Sequence, residues 1–124
     1  MPFFIVESVA ETIDFYTTDL GFVVEFQQTL DGDTEPSFCI LGRDEVSIMF
    51  KTIVPGIHPT PNLKVHKWAR WDAYIATRDP DALYDEFRAS GTAFQRDLEN
   101  TDDGLRAFEV RDNSGYILCF ARRL

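Results

Sequence analysis

Two stretches of the chain share one hairpin-like pattern and lie 70 positions apart. Residues 38–50 read FCILGRDEVSIMF and residues 108–120 read FEVRDNSGYILCF, each with phenylalanine at both ends and polar residues around a central turn. Apolar runs on both sides of such a turn predict two short antiparallel strands. Because the pattern occurs twice, it indicates an internal repeat, which constrains the fold more than any local feature.

The two halves also agree in the order of their predicted elements. A short apolar strand precedes a helix in each half, where Ser8 and Glu11 form a capping box and Asp79 with Pro80 marks the second helix start. Three strands follow each helix. The order strand, helix, three strands therefore occurs twice, and seven residue pairs fit the offset of 70: Phe38 with Phe108, Phe50 with Phe120, Gly21 with Gly91, Ile13 with Leu83, Ile5 with Ile75, Ile40 with Val110 and Ile48 with Leu118.

Length and composition suit one ordinary globular domain of the α+β class. The chain has 124 residues, of which 44% are hydrophobic and 27% charged, without the bias of a disordered or collagenous sequence. We expect a single domain over residues 1–124, with a first module over 1–50 and a second over 68–124. A linker over 51–67 is predicted from Pro55, Gly56, Pro59 and Pro61, which interrupt regular structure.

Charge and hydropathy exclude several kinds of partner. The formal charge of −9 lacks the basic footprint of a nucleic-acid binder and favours a cationic partner. The longest apolar run, residues 1–6, is far shorter than the roughly 20 residues of a membrane span, so we expect no membrane association and a cytoplasmic location. Cys39 and Cys119 lie in apolar runs without metal-type spacing, which predicts buried thiols rather than a disulfide.

The paired modules, with VAETIDFYTTDLGF at residues 9–22 and FEVRDNSGYILCF at the end, resemble the vicinal oxygen chelate superfamily. That superfamily contains glyoxalase I, extradiol dioxygenases, fosfomycin-resistance proteins and bleomycin-resistance proteins. The resemblance covers essentially the whole chain. It implies two βαβββ modules in tandem whose strands form a curved eight-strand cup around a ligand pocket.

Enzymes of this superfamily hold a divalent metal at the first and last strands of each module. By resemblance, the ligand positions of the second module correspond to Asp72 and Cys119, and subtracting the offset of 70 gives Pro2 and Met49 in the first module. A proline, a thioether, one carboxylate and one thiol do not make a ligand set for such an ion, so we expect no metal and no other cofactor. The only histidines, His58 and His66, lie in the predicted linker and do not complete the set.

Strand alternation places polar and aromatic residues on the face that would line the cup. Glu109 and Arg111 alternate with Phe108 and Val110, so they face the cup if the phenylalanine packs under a helix. An inward carboxylate and guanidinium either pair with each other or bind a ligand. The tryptophans either stack on a planar ligand or cover the edge of the core. The predicted ligand-binding residues are Phe4, Met49, Trp68, Trp71, Asp72, Tyr74, Glu109, Arg111 and Cys119, with Asp72 and Glu109 supplying negative charge.

Within the superfamily, the chain is most similar to the bleomycin-resistance branch. Asp81, Leu83, Tyr84 and Glu86 match that branch's DxLYxE pattern, whereas Tyr116 replaces its usual Asn. The resemblance implies a metal-independent homodimer that sequesters a cationic, planar antibiotic without catalysis. One alternative is a metal-dependent lyase, isomerase or dioxygenase of the same superfamily. Another is a catalytically silent domain that mainly supplies a dimer interface.

Overall fold

The computed structural model describes residues 1–53 and 57–124, which form two compact units, Met1–Thr60 and Pro61–Leu124. Pro55 and Gly56 of the predicted linker lie outside the described residues. No helix in these two stretches has the length and apolar character that crossing a bilayer requires.

The first module contains one helix and a four-stranded sheet. Its elements are β1 (Phe3–Ile5), α1 (Val9–Asp19), β2 (Val23–Gln28), β3 (Phe38–Arg43) and β4 (Val46–Lys51). The strands lie in the order β1-β4-β3-β2, with β1 parallel to β4 and the other pairs antiparallel.

The second module repeats this arrangement. A short helix α2 (Asn62–Val65), inside the predicted linker, precedes β5 (Ala73–Ala76), α3 (Pro80–Ala89), β6 (Phe94–Asn100), β7 (Leu105–Arg111) and β8 (Ile117–Arg123). The strand order β5-β8-β7-β6 and the parallel β5–β8 pair match the first module. The prediction of two tandem βαβββ modules in an α+β protein is confirmed.

The helix starts follow from the predicted caps. Ser8 Oγ accepts a hydrogen bond from the Glu11 backbone N–H at 3.1 Å, and Asp79 Oδ1 accepts one from the Ala82 N–H at 3.0 Å. Each side chain thereby satisfies a backbone donor that has no partner within the helix. Pro80 occupies the first turn of α3, where its missing N–H costs nothing.

Aromatic side chains hold each helix on its own sheet. In the first module, the ring centroids of Tyr16 and Phe50 are 4.9 Å apart. In the second, Phe87 lies 5.8 Å from Phe108 and 5.4 Å from Phe120, and the last two rings stack at 5.2 Å. These buried rings form the face of each sheet that its helix covers.

The repeat is real, but its offset is not constant along the chain. An offset of 70 holds at β4 and β8, where Phe50 and Phe120 both pack on the helix. It also holds at Gly21 and Gly91, which both have a positive φ after a helix. Elsewhere the offset changes by one residue, because the two modules differ by single residues in a hairpin loop and in helix length.

The hairpins show the first change. Cys39, not Phe38, is opposite Phe50, whereas Phe108 is opposite Phe120, so the offset between β3 and β7 is 69. Arg43 pairs with Val46 and leaves a two-residue loop, while Asp112 N–H donates to Tyr116 O at 2.8 Å and leaves three. A slip of one residue moves a side chain to the other face. The predicted pairs Phe38 with Phe108 and Ile40 with Val110 are therefore wrong.

The first strands and helices show the opposite change. Phe4 is opposite Phe50, and Ile75 is opposite Phe120, so the offset there is 71 and the predicted pair of Ile5 with Ile75 is wrong. The two N-cap residues, 8 and 79, are also 71 apart, which likewise excludes the pair of residues 13 and 83. Phe4 is buried and lies 5.9 Å from Phe50, so it is a core residue rather than a wall of the ligand-binding face.

Replacing Gly91 with alanine is expected to lower the free energy of unfolding by about 1–2 kcal/mol, measured by urea denaturation. Gly91 has φ +82° and ends α3 in a Schellman motif, in which its N–H donates to Arg88 O at 3.0 Å and Thr92 N–H donates to Phe87 O at 3.0 Å. Gly91→Asn should lower the free energy of unfolding by less, because asparagine tolerates the left-handed backbone conformation. Equal losses in both variants would contradict this conformational explanation.

Candidate functional site

The second module presents a polar and aromatic face on the side of its sheet opposite α3. Glu109 of β7 is paired with Cys119 of β8, and Cys119 is paired with Tyr74 of β5, so these three residues lie side by side. Their chain neighbours Phe108 and Phe120 point to the helix. We call this surface the Glu109 face.

Glu109 is a buried carboxylate at the centre of this face. Its side chain is 5% exposed. Oε2 accepts hydrogen bonds from Arg70 Nη2 at 3.0 Å and from Trp71 Nε1 at 2.9 Å. A buried charge is costly unless it is paired and hydrogen-bonded, so these two donors explain how a carboxylate is retained here.

Arg70 and Trp71 come from the segment before β5 and contact each other as well as Glu109. The Arg70 guanidinium carbon lies 5.6 Å from the Trp71 ring centroid, within the range of a cation–π interaction. The Trp71 ring also packs at 5.6 Å against the ring of Tyr74, which is 45% exposed. The result is a carboxylate beside two aromatic rings, with one guanidinium held between carboxylate and indole.

The cysteine on this face does not supply a reactive thiolate. Cys119 is fully buried beside Ala107 and Ala121. Burial first, and then the negative charge of Glu109, raise the pKa of the Cys119 thiol to about 12. Burial similarly raises the pKa of Cys39 in the first module to about 11. Because the thiolate is the nucleophilic form, neither cysteine is a nucleophile near neutral pH.

Asp72 has a structural role that the sequence prediction did not assign to it. Its Oδ1 accepts a hydrogen bond from the Asn62 N–H at 2.7 Å, and its Oδ2 accepts one from the Ile117 N–H at 2.8 Å. The carboxylate thus joins the segment before β5 to the start of α2 and to β8. Since both oxygens bind backbone donors, the predicted role of Asp72 as a charge for the ligand is not supported.

The other predicted residues are distributed more widely. Trp68 is 78% exposed and stacks on His66 at 5.1 Å, and Arg111 is exposed at the end of β7. Met49 is partly buried in β4 of the first module, opposite Ile40. The second module thus brings four predicted residues together on one face: Trp71, Tyr74, Glu109 and Cys119.

The sequence analysis missed Arg70, the cation that pairs with Glu109. The available signal was its position in the stretch WARW at residues 68–71, where a basic residue stands between two indoles. That segment forms neither helix nor strand, so no periodicity indicates which way the arginine points. Strand alternation indicated Glu109, but the predicted partner within the strand was Arg111 rather than Arg70.

Residues 2–120 match the family model described as the Glyoxalase/Bleomycin resistance protein/Dioxygenase superfamily. Because this match spans nearly the whole chain, the protein belongs to that superfamily, and the predicted relationship is confirmed. No curated protein matches the chain.

Solved structures of the same fold include both binding proteins and a protein described as an enzyme. A bleomycin-binding protein complexed with bleomycin has a TM-score of 0.72 and 18% identity, covering 100% of this chain and 97% of that chain. TnmS3, an antibiotic binding protein from Streptomyces sp. CB03234, has a TM-score of 0.70 and 18% identity, covering 100% and 95%. A glyoxalase-related enzyme from Clostridium phytofermentans has a TM-score of 0.78 and 14% identity, covering 99% and 92%. At these identities the likeness establishes the fold alone.

The residues at the superfamily's metal positions do not fit a divalent metal. The offset of 71 at the first strands makes Met1, rather than the predicted Pro2, the residue that corresponds to Asp72. The thioethers of Met1 and Met49 are poor ligands for a hard or borderline ion. Asp72 already accepts two backbone hydrogen bonds, and the single buried thiol of Cys119 does not complete a ligand set. Over residues 1–53 and 57–124, no group of three or more His, Cys, Asp or Glu side chains is arranged to hold a metal ion.

Proposed function

We propose that this protein is a metal-independent binding protein that sequesters a planar, cationic small molecule on the Glu109 face of its second module. The observation that carries the proposal is the buried Glu109 carboxylate, which receives hydrogen bonds from a guanidinium and an indole beside a second aromatic ring. A carboxylate next to aromatic rings attracts a flat cation through charge and through ring quadrupoles.

Two further properties of the chain support this proposal. Its formal charge of −9 attracts cations at long range. Its superfamily and fold are shared with a bleomycin-binding protein and with the antibiotic binding protein TnmS3. We extend the proposal to a homodimer located in the cytoplasm, as the resemblance and the sequence imply. A metal-dependent lyase, isomerase or dioxygenase is less well supported, because the side chains at the superfamily's metal positions do not make a ligand set.

Replacing Glu109 with glutamine is expected to weaken the binding of a planar cation by about tenfold or more, the loss expected for a charged partner in a hydrogen-bonded pair. The amide keeps the shape of the side chain and an oxygen that accepts from Trp71, but it removes the charge. We would titrate the protein with metal-free bleomycin in the presence of EDTA and follow tryptophan fluorescence, since Trp71 donates directly to Glu109.

Glu35→Gln is the matched control, because Glu35 is exposed in the first module and does not belong to the Glu109 face of the second module. It should bind bleomycin like the wild type. If the wild type gives no saturable signal, the proposed ligand class is wrong. If binding occurs only without EDTA, the protein depends on a metal. If Glu109→Gln binds as tightly as the wild type, the site lies elsewhere.

A further inference from the structure

Arg70 lies where the cationic group of a ligand would lie. Its guanidinium contacts the Trp71 ring face, with 5.6 Å between guanidinium carbon and ring centroid, and at the same time donates to Glu109 Oε2 at 3.0 Å. A planar cation bound by one indole and one carboxylate would make these same two contacts. The side chain of Arg70 thus shows which chemical group this subsite accepts.

The carboxylate has unused capacity for hydrogen bonds. Both Arg70 and Trp71 donate to Oε2, and Oε1 receives no hydrogen bond from any residue in the described part of the chain. A planar cation with two parallel N–H groups engages both carboxylate oxygens at once, which strengthens and orients the contact. Arg70 makes only one of these two bonds. An amidinium or guanidinium that approaches in the plane of the carboxylate would therefore make a contact that Arg70 does not.

The Arg70 guanidinium is also able to move away from the Glu109 carboxylate. Its side chain is 40% exposed, whereas that of Glu109 is 5% exposed, so the guanidinium reaches water and the carboxylate does not. The segment that carries Arg70 is neither helix nor strand. A released guanidinium is solvated, while the buried carboxylate requires another cation in its place. The exchange of Arg70 for a ligand cation keeps the buried charge paired throughout.

We propose that Arg70 is an internal occupant of the cation subsite formed by Glu109 and Trp71, and that an amidinium or guanidinium group of the ligand displaces it. This inference rests on the proposed function and adds to it the chemical class of the recognised group and a competitor within the chain. Arg70 lowers the apparent affinity for every ligand, and it does so least for ligands whose cation makes both hydrogen bonds. Arg70 therefore favours ligands whose cation makes both hydrogen bonds to Glu109 over ligands whose cation makes only one.

Replacing Arg70 with methionine is expected to tighten the binding of benzamidine, the amidinium probe, by about tenfold, which corresponds to a subsite that Arg70 occupies about 90% of the time. Methionine keeps the unbranched stem and removes the guanidinium. We would measure Kd by calorimetry at pH 8, with benzamide as the neutral analogue of the probe. Benzamide binding should change little. Arg106→Met, which removes the same charge from an arginine paired with Asp81, should leave the benzamidine Kd unchanged.

Unchanged or weaker benzamidine binding in Arg70→Met would overturn the inference, because the arginine would then not compete with the ligand. If Arg70→Met does not fold, Arg70→Gln provides the same comparison. In the wild type, we expect the Nε–Hε signal of Arg70 in a ¹⁵N correlation spectrum to shift to its solvated position as benzamidine is added. A signal that does not move while benzamidine binds would also contradict displacement.

Failure of this inference is distinguishable from failure of the proposed function. If bleomycin binds the wild type in a Glu109-dependent manner but Arg70→Met does not tighten benzamidine binding, Glu109 is the site and Arg70 is not its competitor. If neither cation binds the wild type or Arg70→Met, both the site and the inference are wrong.

Discussion

Replacing Phe120 with alanine is expected to lower the free energy of unfolding by about 3–5 kcal/mol, the range for deleting a buried aromatic ring. Phe120 is 2% exposed. Its ring stacks on Phe108 at 5.2 Å and meets Phe87 edge-on at 5.4 Å, so it links β7 and β8 to helix α3. Its removal leaves a cavity among rings that are fixed by both a sheet and a helix, which limits how far the site collapses. Equilibrium urea unfolding followed by circular dichroism measures the loss.

Phe26→Ala is the control for this prediction. Phe26 lies on the edge strand β2 and is 50% exposed, so the same chemical change removes little buried surface. We expect a loss below about 1 kcal/mol. Similar losses in the two variants would mean that the stacked rings of the second module do not form its core.

Much of the fold was predictable because the same local signals occur twice. The caps at Ser8 and Asp79 and the glycines that follow both helices identify the helix ends, and each acts through contacts within a few residues. Such signals depend on local chemistry rather than on tertiary contacts. Two matching sets in the same order indicate two modules before any pairing of strands is known.

The exact correspondence between the strands of the two modules was not predictable from a constant offset in the sequence. A two-residue loop in one hairpin and a three-residue loop in the other shift β3 against β7 by one position, and only the pairing of the strands shows this. The consequence is large, because one position exchanges the two faces of a strand. A second change of one residue, in the opposite direction, shifts β1 against β5, so Phe4 is buried against Phe50 and Phe3 is the residue that corresponds to Tyr74.

The candidate site was predictable only in part, as the fold was. Alternation within β7 identified Glu109 as a residue on the face opposite the helix, because Phe108 beside it is an obvious core residue. The partners of Glu109 were not predictable, since Arg70 and Trp71 are 39 and 38 positions away and lie in an irregular segment. Asp72 was misassigned for the same reason: its partners, Asn62 and Ile117, are 10 and 45 positions away.

Replacing Asp72 with alanine is expected to lower the free energy of unfolding by about 2–4 kcal/mol, because two backbone donors lose a charged acceptor. The N–H groups of Asn62 and Ile117 each donate to a different oxygen of this carboxylate, at 2.7 Å and 2.8 Å. Asp72→Asn should lower the free energy of unfolding by nearly as much. Its amide accepts only through its oxygen and places an NH₂ group against the second donor. Urea unfolding of the three proteins gives the comparison.

Asp102→Ala is the matched control, since Asp102 is exposed in the turn between β6 and β7, and we expect a change within about 0.5 kcal/mol. The structural role of Asp72 also predicts a result for binding. At a temperature where Asp72→Asn is fully folded, it should bind metal-free bleomycin with the Kd of the wild type, whereas Glu109→Gln should not. If Asp72→Asn is stable but no longer binds bleomycin, Asp72 contacts the ligand after all. Its carboxylate would then have to give up its two backbone hydrogen bonds when the cation binds.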